Sequence, residues 1–524
     1  MGFLAFNLPE LLLVTYSRVM VSGGETAIPC KAFSLWADSF HEGEWACRAV
    51  ADMVSARGGT FKAAYKQGFI PEFTYVLDGD EFRVTVYGNY ASWDPQPEPL
   101  SSLLAWGKPD LVLMREDNDE ILFAVEETAA TPTGNQALQR CERQFGAARE
   151  GFPFWYLISE FGIHPDGGVR RDSIWPTLMG LELMSATQVP SIVLHYSDAS
   201  NPEDYSSGKG MNSLFLVFLR VLVNVVEAKA PLSGLDQEIK SQISRMVEFV
   251  ESTWSSSLYL VPDLTGLDTK WLSHQLCSTS QTAIAGTNNA HSNFLVWPTV
   301  GQLTKGETQL QQARPLIKHD PFAQILERDL LSGLSYGVIK GVGSKPQKRA
   351  SLQSWIISQN TKHSVWQESA NRPEAIFELE IDDFPVTAAG NHHVITAQRI
   401  LYLYDSAEDV QASLKEAFPY LESSQLFLEE DLTKPALVYI SNSVKPGRIF
   451  GDPYTGQLSA YSVSFGALSG NRKVIAYFPH QSVSQAAAYL STPNNKGLRM
   501  FAELTDLLVF GGGVSIKTKT LELL

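Results

Sequence analysis

The sequence contains few of the residues that mark secreted or zinc-binding proteins. Its 524 residues include four cysteines, and no two of them form a CxxC pair: Cys30, Cys47, Cys141 and Cys277. Neither a structural zinc site nor a disulfide framework is therefore indicated. A reducing cytoplasm is the expected location, because intracellular thiols remain reduced there.

Long apolar runs are also missing. The longest run, residues 214–226, is interrupted by Arg220 and Asn224. It is too short to span a bilayer, so we expect a buried core helix and no membrane contact. The first residues are apolar, but they lack a basic region and contain Pro9 and Glu10, which argues against a secretory signal.

A positive charge balance is the third missing feature. The chain has 41 Lys and Arg against 57 Asp and Glu, which gives a net charge of −16. Nothing global attracts such a chain to nucleic acid, so any contact with DNA must rely on local basic surface. The 44% of hydrophobic residues is ordinary for a globular protein, and the length predicts two or three domains.

The most informative stretch lies between Lys108 and Arg143. Two short apolar runs flank the turn-forming residues 116–119, which predicts a hairpin. Along the second strand, Glu126 and Thr128 share one face because side chains alternate. The hairpin would bring Asp110, at the start of its first strand, beside Glu126. Two such carboxylates are sufficient protein ligands for Mg²⁺, which keeps several waters and also binds substrate phosphates.

A helix is predicted to follow the hairpin over residues 134–150. Thr131, Pro132 and Thr133 give a start signal. Apolar residues recur at intervals of three and four along one face, at Leu138, Cys141, Phe145 and Ala148. The remaining face carries Gln136, Arg140 and Arg143, and we expect it to meet a phosphate backbone.

Pro109-Asp110 and, after fifteen residues, Glu126-Glu127-Thr128 resemble the motif of the PD-(D/E)XK nuclease superfamily, which includes many restriction endonucleases. The order of predicted elements is similar to that family: a helix near 43–57, strands near 73–77 and 81–88, the hairpin, the helix 134–150 and a strand 154–158. The resemblance implies an α/β fold in which helices flank a mixed central sheet. We assign this nuclease domain to residues 1–232.

The resemblance also implies the site chemistry. Asp110, Glu126 and the backbone carbonyl of Glu127 would bind Mg²⁺. The family lysine that positions the attacking water is replaced by Thr128. Thr128 itself, or a donor from Gln136, Lys108 or Arg140, would orient the water; otherwise the site is inactive. Glu44 is a candidate third carboxylate, and the alternative is a solvated acid near a helix start.

The rest of the chain is expected to select the target. Helices are predicted over 174–186 and 235–254, with a strand at 191–195 between them. Residues 233–350 form a helical linking region whose glycine-containing loop carries four basic residues and either contacts DNA or is an exposed linker: Lys340, Lys345, Lys348 and Arg349. Residues 351–524 are predicted to form an additional α/β domain with strands 436–440 and 474–478.

In that last domain, a loop rich in proline and glycine over residues 442–457 is a candidate for base or phosphate contacts. It carries Lys445, Arg448 and Gln457. Arg and Gln suit bidentate recognition of bases, although ordinary turn chemistry explains the proline and glycine equally well.

Together these features predict a Mg²⁺-dependent, sequence-specific endonuclease that acts on double-stranded DNA. Cutting both strands requires two active sites, which favours a homodimer. Two alternatives stay open: a defence, repair or RNA-cleaving nuclease without strict sequence specificity, and a catalytically inactive nucleic-acid-binding protein that retains the fold.

Overall fold

A computed structural model of the chain describes residues 31–128, 140–159, 175–196, 211–227, 233–253 and 261–277, together with short segments between residues 364 and 523. The described residues form two β-sheets, one from the N-terminal half and one from the C-terminal part.

The N-terminal sheet has eight strands: β1 (Ala32–Ala37), β2 (Thr60–Lys66), β3 (Ile70–Leu77), β4 (Asp80–Gly88), β5 (Leu111–Arg115), β6 (Ile121–Thr128), β7 (Phe154–Ser159) and β8 (Ser191–Tyr196). Their order across the sheet is β2-β3-β4-β1-β5-β6-β7-β8. Three neighbouring pairs are parallel, namely β1 with β4, β6 with β7 and β7 with β8. The other pairs are antiparallel, so the sheet is mixed.

Helices flank this sheet: α1 (Phe40–Ala56), α2 (Glu98–Leu104), α3 (Cys141–Glu150), α4 (Trp175–Thr187), α5 (Met211–Glu227), α6 (Ser233–Thr253) and α7 (Thr269–Cys277). The fold of the N-terminal half is therefore α/β, as predicted. No helix among the described residues has both the length and the apolar character needed to cross a membrane.

Helix α1 starts immediately after β1 because Ser39 and Glu42 form a capping box. The Ser39 hydroxyl accepts from the Glu42 amide at 3.2 Å, and the Glu42 carboxylate accepts from the Ser39 amide at 3.0 Å. This reciprocal pair satisfies two backbone donors that the first turn of a helix leaves free. It fixes the point at which the chain leaves the sheet.

Strand β6 is buried on both faces. On one face, Phe123 packs edge-on against Phe218 of α5, with ring centroids 5.4 Å apart. Glu126 lies on the other face, where it contacts Arg143 of α3 and Arg140, the residue that precedes α3. Helix α6 also packs on β8 and α4, and its Gln242 accepts a hydrogen bond from the Trp155 indole at 3.1 Å. The strand that carries Glu126 thus contacts helices on both of its faces.

Most predicted elements of the N-terminal half are confirmed. The hairpin of β5 and β6, the strands β3, β4, β7 and β8, and the helices α1, α4, α5 and α6 lie within a few residues of the predicted ranges. The predicted helix 134–150 is helical from Cys141 onward, and residues 134–139 lie outside the described residues. The sequence interpretation missed β1, β2 and α2.

The C-terminal sheet has nine strands: β9 (Ser364–Gln367), β10 (Glu374–Glu378), β11 (His392–Thr396), β12 (Arg399–Tyr404), β13 (Ala436–Ser441), β14 (Lys473–Phe478), β15 (Leu507–Phe510), β16 (Ser515–Lys517) and β17 (Glu522–Leu523). Their order follows the chain from β9 to β17. The predicted strands 436–440 and 474–478 are confirmed as β13 and β14, which pair in parallel.

Candidate functional site

Two acidic residues face each other across the β5–β6 hairpin. The strands pair with Leu111 opposite Val125, and continuing this register places Asp110 opposite Glu126. Residues directly opposite in an antiparallel pair carry their side chains on the same face, with Cβ atoms about 4.5–5.5 Å apart. The predicted proximity of Asp110 and Glu126 therefore follows from the observed register.

The same row continues onto β1. Ala37 lies opposite Leu111, so Asp38 lies opposite Asp110, and the Asp38 amide donates to the Asp110 carbonyl at 3.1 Å. Asp38 is exposed to solvent. Three acids, Asp38, Asp110 and Glu126, thus occupy one row across three neighbouring strands. The sequence interpretation missed Asp38 because it missed β1.

Asp110 is half-buried and held by the backbone of β6. Its Oδ2 accepts a hydrogen bond from the Glu127 amide at 2.5 Å. Burial raises the pKa of Asp110 to about 6, while the Glu127 amide and the guanidinium groups of Arg143 and Arg140 act in the opposite direction. Because its second oxygen is not used in that bond, Asp110 retains capacity to bind a cation.

Glu126 is fully buried, with 0% of its surface exposed. Its Oε1 contacts the guanidinium groups of both Arg140, at 2.5 Å, and Arg143. Among the described residues, its Oε2 has no hydrogen-bond partner. Burial, followed by the charge of Asp110, raises the pKa of Glu126 to about 8, and the two arginines oppose that shift. A buried carboxylate oxygen without a partner is unusual and fits a cation ligand.

Arg140 bridges two oxygens of β6. The same Nη1 atom donates to Glu126 Oε1 at 2.5 Å and to the Glu127 carbonyl at 2.7 Å. These are two of the three groups that the family resemblance assigns to the metal. The sequence predicts that Arg140 and Arg143 face phosphates, but both contact the Glu126 carboxylate. Their side chains are 32% and 21% exposed, respectively.

Gly107 leaves room for the second arginine. A Cβ atom added at Gly107 would lie 2.3 Å from Arg143 Cγ, closer than atoms can approach. The loop before Lys108-Pro109-Asp110 thus requires glycine for Arg143 to reach Glu126. This connection between the motif and α3 gives no signal in the sequence.

Thr128, which occupies the position of the family lysine, is buried beside β7. Its hydroxyl donates to the Tyr156 hydroxyl at 3.1 Å. On the opposite face, the Glu127 carboxylate accepts from the Tyr196 hydroxyl. Thr128 therefore connects β6 to its parallel neighbour β7, and Glu127 connects it to β8, the next strand beyond β7. The Glu127 backbone, rather than its side chain, faces the row of acids.

Tyr90 lies behind the row. Its hydroxyl donates to the Pro109 carbonyl at 2.8 Å and anchors the chain just before Asp110. Burial raises its pKa well above the ordinary value, and the charges of Asp110, Asp38, Glu126 and Glu42 add to the effect. This tyrosine therefore remains a neutral hydrogen-bond donor next to the acids.

Glu44, the candidate third carboxylate, lies elsewhere. It contacts Arg48 at 3.6 Å and the Tyr65 hydroxyl at 3.4 Å. Glu42 is the acid of α1 whose charge reaches Asp110. The capping-box pattern Ser39-x-x-Glu42 is the sequence signal that identifies this helix start, and with it the preceding Asp38.

The other predicted site residues fall outside the described residues: Gln136, Lys340, Lys345, Lys348, Arg349, Lys445, Arg448 and Gln457. Within the described residues, no group of three or more His, Cys, Asp or Glu side chains is gathered closely enough to hold a metal ion. No protein-family model, curated protein or solved structure matches the chain.

Proposed function

We propose that the protein is a Mg²⁺-dependent endonuclease of the PD-(D/E)XK type that cleaves double-stranded DNA at specific sequences. The observation that carries this proposal is the register that places Asp110 directly opposite Glu126 on the hairpin, with α3 and its arginines following β6. The closeness of these two acids supports the proposal, since the sequence resemblance depends on them.

The oxygen donors fit a hard divalent cation. Asp110, Glu126 and the Glu127 carbonyl would hold Mg²⁺, for which one or two carboxylates suffice when water and phosphate oxygens complete the coordination. The buried Oε2 of Glu126 supports this fit because it has no hydrogen-bond partner among the described residues. When bound, the metal ion supplies an activated water and positive charge on the phosphate that is attacked.

The protein's own residues position the groups around this centre. Asp110 is fixed by the Glu127 amide, and the segment before it is fixed by Tyr90. Asp38 adds an exposed acid at the edge of the row, where it can accept a hydrogen bond from water. The two arginines lie within reach of the same place and carry the charge that binds a phosphate.

In the protein without a metal ion, the Arg140 guanidinium group lies against two of the oxygens that would bind the cation. Because its guanidinium group contacts both Glu126 Oε1 and the Glu127 carbonyl, it must move before a metal ion binds these oxygens. A DNA phosphate can compete with the Glu126 carboxylate for the Arg140 guanidinium group, since carboxylates and phosphates both accept two parallel hydrogen bonds from arginine. DNA binding would thereby release the carboxylate for the metal.

The predicted partners follow from this scheme. Cleavage of both strands favours a homodimer, and the C-terminal domain would select the target sequence. The net charge of −16 means that binding relies on local basic groups, so it should weaken strongly as salt rises.

A second candidate is a nucleic-acid-binding protein without catalytic activity. Thr128 favours it, because the side chain at the family lysine position is buried and bonded to Tyr156. It provides no positive charge next to the attacking water. This candidate predicts binding to DNA that is independent of metal and is not followed by cleavage.

The test is cleavage of plasmid and phage DNA by the full chain with Mg²⁺ and with EDTA. Asp110→Asn and Glu126→Gln keep the shape of each side chain, and Glu81→Gln, at an exposed position of β4, is the matched control. Discrete fragments that disappear with EDTA and with either site variant, but not with Glu81→Gln, support the proposal. Binding without cleavage supports the second candidate, and cleavage by both site variants refutes the assigned site.

A further inference from the structure

Strand β2 forms an exposed edge of the N-terminal sheet. Among the residues that the structure describes, it pairs with β3 alone, and it stands at the end of the strand order. Six of its seven residues are exposed, whereas β3 alternates between buried and half-buried residues. An exposed strand of this length presents unpaired backbone groups that favour pairing with another strand.

The side chains of β2 combine two lysines, which are common on edge strands, with two exposed aromatic residues. Phe61 and Tyr65 lie on one face, two positions on either side of Ala63, and they are 41% and 54% exposed. Lys62 and Lys66 lie on the other face, where Lys66 contacts Glu72 at 2.5 Å. Large aromatic side chains at such exposure on an edge strand indicate a surface that another chain covers.

The sequence of β2 is complementary to itself in one antiparallel register. When the strand is paired with a second copy about a two-fold axis at Ala63, Phe61 lies opposite Tyr65 and Lys62 lies opposite Ala64. Aromatic cross-strand pairs stabilise a sheet by about 0.2–1 kcal/mol each. A two-fold axis makes each of these pairs occur twice.

Charge excludes the neighbouring registers. Every second residue of β2 points its backbone N–H and C=O groups away from β3, and these residues are the same in both copies. Outward-facing residues must therefore pair with each other, so the two-fold axis moves by one residue between neighbouring registers. An axis at Ala64 places Lys62 opposite Lys66, and an axis at Lys62 places this lysine opposite itself. Like charges directly opposite each other destabilise a sheet. The register centred on Ala63 avoids both contacts.

We propose that two copies of this chain associate through β2, antiparallel and centred on Ala63, which joins their N-terminal sheets into one continuous sheet. The occupant is a second copy, because this register pairs the aromatic residues of β2 with each other and places no lysine directly opposite another lysine. This inference does not depend on the proposed nuclease activity.

The first experiment is disulfide trapping in the full chain. Ala63→Cys places two thiols opposite each other, at a separation close to the Cβ distance of about 3.5–4.5 Å that a disulfide needs. Ala64→Cys is the matched control, because residue 64 faces Lys62 of the other copy. Under mild oxidation we expect a covalent dimer from Ala63→Cys and at least tenfold less from Ala64→Cys. Equal cross-linking of the two variants would overturn the register.

Sedimentation equilibrium tests the dimer without a cross-link. Phe61→Lys should raise the dimer dissociation constant at least tenfold, since the lysine would lie opposite Tyr65. Phe69→Lys is the control, because Phe69 is also 54% exposed but lies beyond β2. Circular dichroism checks that both variants fold. A wild-type chain that remains monomeric in the micromolar range, or a dimer that Phe61→Lys does not weaken, refutes the proposal and leaves β2 to a different partner, such as DNA.

Discussion

Two buried glutamates of the N-terminal half have similar pKa values but different surroundings. Glu126 on β6 is fully buried, and Glu182 on α4 is 5% exposed. Burial raises the pKa of each to about 8. For Glu182, burial is the whole cause, whereas Glu126 also has an acid opposite it and two arginines on its carboxylate.

The comparison shows which property marks a functional site. A raised pKa identifies a buried acid, and acids are buried in helices such as α4 as well as in active sites. What distinguishes Glu126 is the set of charges that the sheet brings to it. The two arginines stabilise the ionised carboxylate of Glu126, which is the form that binds a cation, and they oppose burial and the charge of Asp110, whereas burial alone acts on Glu182 and favours the neutral acid.

The largest effect should come from deleting the paired acid. Glu126→Ala leaves Arg140 and Arg143 close together without their shared carboxylate, and removing one partner of a buried ion pair typically destabilises a protein by about 3–5 kcal/mol. Urea unfolding at pH 7 measures this loss. Glu126→Gln, which keeps the shape, should lose less. A loss as small as that of an ordinary surface substitution would mean that the arginines have other partners.

The unpaired acid should behave in the opposite way. Glu182 has a folded-state pKa of about 8 against an ordinary value of 4.5, so its contribution to stability is fully present below pH 4.5 and is lost as the pH rises towards 8. Glu182→Gln removes this loss. The variant should match wild type near pH 4.5 and exceed its unfolding free energy by about 3 kcal/mol at pH 7, given about 1.4 kcal/mol per pKa unit.

Urea unfolding of both proteins across this pH range gives the difference directly. Asp110 and Glu126 titrate in the same range, but they are common to the two proteins, so their effects cancel. If the plots of unfolding free energy against pH are parallel for the two proteins, ionisation of Glu182 does not destabilise the folded state.

A smaller effect is expected when Arg140 is removed. In Arg140→Gln, the Glu126 carboxylate and the Glu127 carbonyl lose the guanidinium that contacts both, so a divalent cation has less competition. Calorimetric titration of Mn²⁺ without DNA should show about tenfold tighter binding, which corresponds to about 1.4 kcal/mol. Arg149→Gln is the control, because Arg149 pairs with Glu150 instead. Unchanged or weaker affinity would show that Arg140 does not compete with the metal.

The smallest change should come from Thr128→Val. The substitution keeps the shape but removes the hydroxyl that donates to Tyr156, and the loss of such a buried hydrogen bond amounts to about 1 kcal/mol. If Thr128 also orients the water, the rate of DNA cleavage should fall by a larger factor than this stability loss explains. Thermal unfolding and cleavage rates, measured on the same preparation, separate the two roles.

Local patterns predicted the hairpin and the acid pair. The turn residues between two short apolar runs fixed β5 and β6, and the alternation along β6 placed Glu126 and Thr128 on one face. Both are properties of neighbouring residues, so the sequence carries them. The periodicity of α3 likewise placed Arg140 and Arg143 on a common face, away from its buried side.

Contacts between distant residues could not be predicted in the same way. β1 pairs with β4 and β5, which lie far along the chain, and nothing local in Ala32–Ala37 indicates these neighbours. β2 contains lysine and alanine, which have low strand propensity, so it gave no strand signal. The partner of the arginines was also hidden, because a helix face shows where side chains point but not what they meet.

The position of β1 between β4 and β5 has a consequence for synthesis of the protein. Asp38 cannot meet Asp110 until more than seventy residues between them have emerged and the hairpin has formed, and Arg143 must follow before Glu126 is paired. Such long-range closure is slow relative to helix formation. The acidic row therefore arises late on the ribosome, and a nascent chain that stops before Arg140 would have the Glu126 carboxylate without either counter-ion.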